Sequence, residues 1–151
     1  MPSTLHIDEE IFQDMVRFYG ETFNLPPLSA KIYSYLIFDF ERKGICFDDF
    51  IQIFSASKSS VSANLNLLLN AELIRDFNTI NGRKRLFMIN DNYINIRFSA
   101  IINKMKQELL ILDNLQKFRG CANETDVNRF LIYRQLLNKN IETIEETLDK
   151  I

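Results

Sequence analysis

Two adjacent groups of side chains in the middle of this chain carry hydrogen-bonding and cationic chemistry. One is a run of hydroxyl, amide and small side chains that follows a single lysine: Lys58, Ser59, Ser60, Ser62, Ala63, Asn66 and Asn70. The other is Arg83-Lys84-Arg85, directly after an Asn81-Gly82 pair. Serine and asparagine hydrogen-bond to base edges, alanine packs on a thymine methyl group, and arginine and lysine bind phosphates. Together the two groups indicate contact with a nucleic-acid duplex.

The polar run lies on the second of two predicted helices. Phe47–Phe54 and Lys58–Asn70 are separated by a Ser55-Ala56-Ser57 corner, and Ser57 stands where a helix needs an N-cap. Two short helices joined by a tight corner predict a helix-turn-helix, whose second helix can lie in the DNA major groove. The stripe that this second helix would bury is Val61, Leu65, Leu68 and Leu69.

The basic run lies on a predicted β-hairpin. Ile74–Thr79 and Arg85–Ile89 are rich in β-branched and aromatic residues, and Asn-Gly is the strongest two-residue hairpin signal. Ile45-Cys46-Phe47 can add a short third strand. Between Ser55 and Asn90 there are five Lys or Arg against two Asp or Glu, in a chain of net charge −2. Positive charge is therefore concentrated on this part of the chain.

Each group also has a simpler interpretation. A helix face rich in serine and asparagine can be merely solvated, and a charged hairpin edge discourages edge-to-edge aggregation. The succession of corner, polar helix and basic hairpin favours contact with DNA over both. A winged helix that binds another protein and no DNA is the alternative function, because the helix face carries so little charge.

The stretch from Leu25 to Leu86 resembles the MarR-type winged-helix transcriptional regulators and is most similar to their GbsR-like branch. The resemblance rests on Leu-Pro-Pro-Leu-Ser-Ala-Lys-Ile-Tyr, then Ala-Ser-Lys-Ser-Ser-Val-Ser, then Asn-Gly-Arg-Lys-Arg. It implies a homodimer that binds a pseudo-palindromic operator in double-stranded DNA. Such proteins are often repressors that a small-molecule effector releases.

Matching positions assign the same roles in this chain. Lys58, Ser59, Ser60, Ser62 and Ala63 match the recognition-helix segment, and Arg83 and Arg85 match the wing. Asn66 stands where the branch usually has arginine, and Glu72 where it usually has glycine. We therefore expect Asn70, rather than a strained Glu72, to take any left-handed conformation at the end of this helix.

Helices are predicted on both sides of this core. Residues 5–23 form an amphipathic helix that Asn24-Leu25-Pro26-Pro27 ends. A helix from Leu28 or Ser29 to about Glu41 begins the winged core, and most of the apolar segment Tyr33–Phe40 should be buried. The apolar side of the N-terminal helix comprises Ile7, Ile11, Met15, Phe18 and Tyr19.

Two further helices are predicted after the wing. Asp91 can cap a helix from about Asn92 to Phe118, and a last helix follows from about Glu124. The last helix has apolar residues at alternating heptad positions, with Arg134 interrupting the seam: Val127, Phe130, Leu137, Ile141, Ile144, Leu148 and Ile151. This seam predicts dimerisation, joined by Ile11 and Met15 of the N-terminal helix. Packing of the last helix on its predecessor within one chain is expected as well, on a different side.

The predicted fold is mainly α-helical with a small β-hairpin wing. A winged helix-turn-helix core at 25–90 would be flanked by an N-terminal dimerisation helix at 1–24 and a C-terminal helical dimerisation region at 91–151. At 151 residues, with 46% hydrophobic and 25% charged residues, this is one compact chain by length. An acidic pI near 5.5 argues against a general nucleic-acid coat.

Other function classes lack the residues that they need. His6 is the only histidine, and the sequence has no phosphate-binding loop or metal-ligand cluster, so we expect no enzyme, metal or cofactor. No apolar run reaches the ~18–20 residues of a membrane span, and no signal-peptide pattern is present, which predicts a cytoplasmic protein. In that compartment a disulfide between Cys46 and Cys121 is not expected. An effector could lie among aromatic side chains, although most of these are expected in the core: Tyr19, Phe23, Tyr33, Tyr93 and Phe98.

Overall fold

A computed structural model describes residues 5–120 and 124–151 of the chain. The described residues up to Asp91 form one compact unit, and those from Asn92 onward form a second. In the first unit the elements are α1 (Glu9–Thr22), α2 (Pro27–Ile37), β1 (Ile45–Cys46), α3 (Phe47–Phe54), α4 (Lys58–Asn70), β2 (Ile74–Asn78) and β3 (Arg85–Ile89). In the second unit they are α5 (Tyr93–Arg119) and α6 (Glu124–Leu148).

The sheet of the first unit is small and entirely antiparallel. Its strand order is β1-β3-β2, with Ile45 opposite Phe87 and Ile74 opposite Ile89. Phe87 on the central strand is buried and its ring meets the ring of Phe50 on α3 edge to face. The predicted short third strand is thus confirmed, and it ties the wing to the helix-turn-helix.

The core of the first unit lies where α2 meets α4 and the sheet. α2 packs against α1, α4 and β3, so it supports the second helix of the helix-turn-helix from the core side. The almost completely buried apolar side chains of this core come from α2, α3, α4, the turn after α4 and the sheet: Ile32, Leu36, Phe50, Val61, Leu65, Leu68, Leu73 and Phe87. This is a winged helix-turn-helix, as the sequence predicts.

The first two helices are shorter than expected, for local reasons. α1 begins at Glu9 and not at residue 5, because the Asp8 carboxylate accepts a hydrogen bond from the Ile11 amide at 2.9 Å and caps the helix there. α2 ends at Ile37 and not near Glu41. The buried Asp39 carboxylate accepts hydrogen bonds from the amides of Lys43 and Gly44, and these bonds hold a turn after α2. Phe40, in this turn, is 77% exposed.

The end of α4 contradicts the expectation for Asn70. Asn70 is helical, and Glu72 has the left-handed backbone, with φ of 60°. The Leu73 amide donates to the Leu68 carbonyl and the Glu72 amide to the Leu69 carbonyl, which is the Schellman pattern. Leu68 and Leu73 are both buried, so burial of this apolar pair offsets the strained glutamate.

The start of α5 also differs from the expectation. Asp91 does not cap the helix, because its carboxylate accepts from the Arg42 guanidinium at 3.0 Å. Asn92 occupies the cap position, and its side-chain oxygen accepts from the Asn95 side-chain amide at 3.1 Å. Arg42 also donates to the Asp39 carbonyl, so the Asp39–Gly44 turn and the end of the first unit are linked through this one side chain.

The second unit is an antiparallel pair of helices. Ion pairs join Lys106 to Glu145 and Asp113 to Arg134, so a later residue of α5 pairs with an earlier residue of α6 and the two helices run in opposite directions. Leu137 and Ile141 of the predicted dimer seam are buried in this chain, so the seam is used in part for packing within one chain. Cys121 lies outside the described residues. Every helix within 5–120 and 124–151 is too short or too polar to span a lipid bilayer.

Candidate nucleic-acid interface

The polar face predicted on α4 points away from the core. Val61, Leu65 and Leu68 are buried on the opposite side of the helix. Lys58, Ser59, Ser62, Ala63, Asn66 and Asn70 are exposed, and Ser60 is half-buried. The structure therefore brings the predicted base-reading residues onto one accessible helix face.

The beginning of this face is fixed by the predicted N-cap. The Ser57 hydroxyl accepts from the Ser60 amide at 3.1 Å, which confirms the cap. The hydroxyls of Ser57 and Ser59 lie 3.3 Å apart and share a hydrogen bond. The first turn of α4 thus presents hydroxyl groups whose positions are set by the corner.

Asn64 on α4 has a structural role that the sequence pattern did not indicate. Its amide donates to the Ser60 carbonyl at 2.7 Å, and its oxygen accepts from the Ser29 hydroxyl at 2.6 Å. Ser29 lies on α2 and is completely buried. This bond spans 35 positions of sequence, so no local pattern could have revealed it. It holds α4 against α2.

The wing ends in a four-residue loop instead of the two-residue turn that Asn-Gly indicates. The Thr79 amide donates to the Lys84 carbonyl at 3.3 Å, and the Gly82 amide donates to the Thr79 carbonyl at 2.7 Å. Gly82 has φ of 65°, the left-handed conformation that glycine adopts without a steric cost. Arg83 therefore belongs to the loop, Lys84 closes it, and Arg85 opens β3.

The three wing cations differ in their surroundings. Arg83 and Lys84 are exposed, and neither has an ion-pair partner within 4.0 Å among the described residues. Arg85 instead donates to the Asp76 carboxylate on the neighbouring strand, and its guanidinium lies 5.0 Å from the centre of the Phe87 ring. Only part of the predicted basic surface is thus free to meet a phosphate.

A cavity of about 380 Å³ lies between the three wing cations and the start of α3. It is lined by Cys46, Phe47, Asp48, Asp49, Gln52 and the three wing cations. Asp48 and Asp49 occupy the first turn of α3, where carboxylates suit the positive end of the helix. Cys46 is a free, half-buried thiol. Acidic groups therefore lie near the basic run without forming a close ion pair with Arg83 or Lys84.

The residues predicted to contact a second copy differ in how far they are buried in this chain. Ile11 is exposed, whereas Leu137 and Ile141 are buried. The others are half-buried: Met15, Val127, Phe130, Ile144 and Leu148.

The aromatic residues considered for an effector divide between the two units. Tyr19, Phe23 and Tyr33 form a cluster in the first unit, with ring centres 5.0–6.0 Å apart. Tyr93 and Phe98 belong to the second unit and are half-buried. The first three rings are engaged with one another.

No protein-family model and no curated protein matches this chain. Solved structures match it in fold. A crystal structure of a transcriptional regulator is 20% identical, with 93% of this chain and 95% of that chain covered at a TM-score of 0.55. MepR of Staphylococcus aureus in its DNA-binding conformation is 17% identical, with 86% and 90% covered and a TM-score of 0.46. The MepR–DNA complex is 19% identical, with 70% and 87% covered and a TM-score of 0.44. The first of these shows that the chain shares the fold of that regulator.

Proposed function

We propose that this chain is a sequence-specific DNA-binding transcriptional regulator of the MarR type, closest by its motifs to the GbsR-like branch. One observation carries the proposal. The outward face of α4 and the exposed wing loop belong to the same unit, and residues 57–66 and 80–85 together contain four Lys or Arg and no Asp or Glu. A polar helix flanked by cations suits a groove flanked by phosphates.

In this proposal α4 enters the major groove. The hydroxyls of Ser59, Ser60 and Ser62 and the amide of Asn66 meet base edges, and the Ala63 methyl packs on a thymine. Lys58, Arg83 and Lys84 contact phosphates on either side, or the wing cations enter a narrow minor groove. Base contacts supply sequence preference and phosphate contacts supply affinity.

The proposed homodimer uses the apolar side chains that remain exposed. On α1, Ile11 and Phe18 are more than half exposed and flank Met15 at helical spacing. Buried Leu137 and Ile141 are occupied within the chain, so they are not proposed as contacts between copies. A monomer with such apolar helix faces in water would gain stability by covering them with a second copy.

The second unit offers a further apolar face. Ile111 and Leu115 recur at four-residue spacing on α5, as do Ile132 and Leu136 on α6, and all four are more than half exposed. Tyr133 donates to Glu108 between the two helices. At 100° per residue, both apolar pairs fall on the side of the helix pair that carries this bond. This face is the proposed contact between the second units of two copies.

The dimer is tested by changing this face in the full chain. We expect Leu136→Glu to shift the sedimentation of the purified protein towards the monomer, because a buried carboxylate without a partner is costly. Asn138→Glu is the matched control on the same helix, since Asn138 is exposed and polar. A dimer that survives both Leu136→Glu and Ile132→Glu with unchanged strength would place the contact elsewhere.

We also propose that the chain represses transcription and that a small-molecule effector releases it from DNA. The family resemblance supports both proposals. The cluster of Tyr19, Phe23 and Tyr33 is the aromatic surface of the first unit that an effector could use, provided that the rings separate. The competing function is a winged helix that docks on another protein.

Selection of DNA by the purified chain tests the regulator directly. Random duplexes are bound, recovered and sequenced through several rounds, followed by genomic footprinting in the host. We expect a pseudo-palindrome whose half-sites are about one helical turn, ~34 Å, apart. If no sequence is enriched over random duplexes, the regulator assignment is wrong and the protein-binding alternative takes its place.

A further inference from the structure

One apolar side chain stands at the tip of the wing. Ile80 is the first residue of the four-residue loop, and its side chain is fully exposed. Turn positions at hairpin tips usually hold glycine, asparagine, aspartate or serine, which satisfy the backbone or allow its conformation. The isoleucine side chain cannot hydrogen-bond to the backbone and does not favour a left-handed conformation. The turn itself therefore does not explain why isoleucine is present.

The surroundings of Ile80 distinguish it from the apolar helix faces described above. Residues 78–85 read Asn-Thr-Ile-Asn-Gly-Arg-Lys-Arg, so no second apolar side chain accompanies it in the loop. Arg83 and Lys84 lie three and four positions away and are exposed. The centre of a protein–protein interface is depleted of charge, whereas a single apolar group followed by cations suits a polyanion whose stacked bases are apolar.

The loop also has the shape to enter a groove. Gly82 has no side chain, and a Cβ placed on it would meet no other atom within 4 Å. Asn81 is exposed beside it. The Thr79–Gly82 hydrogen bond fixes the turn, so Ile80 projects from a narrow and defined tip. The minor groove of B-DNA is ~6 Å wide, which admits such a tip but not a helix.

We propose that Ile80 is an apolar wedge that the wing inserts into the minor groove of the operator. Proteins that bind the minor groove place isoleucine, leucine or phenylalanine between base pairs, partly unstack one step and kink the duplex. Arg83 and Lys84 hold the flanking phosphates while Ile80 meets the bases. Flexible pyrimidine–purine steps kink most easily, so the wing selects such a step without hydrogen-bonding to it. This inference rests on the proposed function, since it requires a specific complex with DNA.

The bend of the operator tests the wedge. A duplex carrying the selected site is labelled at both ends, and the distance between the labels is measured by energy transfer with and without the full-length protein. We expect a bend of at least ~20° in the wild-type complex. Ile80→Ser should give a complex with little or no bend. Ile80→Leu should keep the bend, because leucine is also apolar.

Two controls separate the wedge from general weakening. Arg83→Ala should lower the affinity and its salt dependence, while the remaining complex keeps its bend. The free Ile80→Ser protein should sediment and unfold like the wild type, because Ile80 is fully exposed in the chain.

The outcomes distinguish this inference from the function on which it rests. A wild-type complex that is specific but straight, or an Ile80→Ser complex with an unchanged bend, overturns the wedge and leaves the regulator in place. Failure of the wild type to bind any duplex specifically overturns both. A change in the sedimentation of free Ile80→Ser would assign the tip to contact with a second copy, which also overturns the wedge.

Discussion

Arg85 and Asp76 form an ion pair across the two long strands of the wing, beside the ring of Phe87. The pair faces solvent, with 52% of the arginine side chain and 36% of the aspartate side chain exposed. Exposed pairs contribute little to stability. The more important consequence concerns the proposed contact with DNA. The Asp76 carboxylate offsets the charge of Arg85, so Arg85 should attract a phosphate less strongly than Arg83 or Lys84.

Removing the carboxylate should therefore strengthen DNA binding. We expect Asp76→Asn to raise operator affinity and to steepen the dependence of log K on log salt, by up to ~0.9 if Arg85 gains one phosphate. Arg83→Ala should flatten that slope by a similar amount, and Arg85→Ala should have the smaller effect of the two. Affinity titrations over a range of salt concentrations measure all three. An Asp76→Asn protein with unchanged affinity and slope would mean that Arg85 does not reach DNA even when free.

The α4 face should control sequence preference more than overall affinity. Replacing Ser59 by alanine should change the difference in binding free energy between matched and altered operators by roughly 1–3 kcal/mol if the hydroxyl makes a good base contact. The measurement is competition between operators that differ at one base pair. Ser99→Ala is the matched control, because Ser99 is an exposed serine on α5. An equal loss on every sequence would assign Ser59 to the phosphate backbone instead.

The bond between Ser29 and Asn64 should contribute to stability. Asn64→Ala leaves the completely buried Ser29 hydroxyl without this partner, and an unsatisfied buried group costs about 1–3 kcal/mol. Denaturation by urea measures the free energy of unfolding. Asn66→Ala, on the exposed face of the same helix, should cost less than ~0.5 kcal/mol. The double variant Ser29→Ala with Asn64→Ala should be less destabilised than the sum of the single changes, and strict additivity would contradict the role given to this bond.

Local chemistry explains why much of the fold could be predicted. The bounds Phe47–Phe54 and Lys58–Asn70 follow from apolar spacing and from Ser57 as a cap, and the structure has both helices at those residues. The short strand at Ile45 and the wing strands follow from β-branched and aromatic residues in the same way. These signals are complete within a few residues of sequence.

The errors arise where distant residues decide a local conformation. Glu72 adopts the left-handed conformation because Leu68 and Leu73 become buried together. Asp91 pairs with Arg42, which lies 49 positions earlier, so it is not available as a helix cap. For the candidate interface, the residue types on α4 predicted the exposed face, but the pairing of Arg85 with Asp76 depended on the register of the two strands.

The ion pair between Asp113 and Arg134 should give the second unit a pH dependence. Arg134 interrupts the apolar seam of α6, and its Nε donates to Asp113 at 2.9 Å. The hydrogen bond from Arg134 lowers the pKa of the Asp113 carboxyl below its ordinary value. The folded state therefore favours the ionised carboxylate. Its contribution is present above the ordinary aspartate pKa of ~3.9 and is lost as the pH falls through the lower pKa of the folded protein.

We expect Arg134→Gln to return the Asp113 titration to its ordinary range, as followed by the carboxyl carbon resonance in NMR. The melting temperature of the variant should fall less steeply than that of the wild type as the pH is lowered below about 4, since the linked proton uptake is gone. Lys139→Gln removes a charge from an exposed position on the same helix and is the control for net charge. The effect should be small, because the pair faces solvent and salt screens it. An Asp113 titration that is identical in wild type and Arg134→Gln would show that the ion pair does not persist in solution.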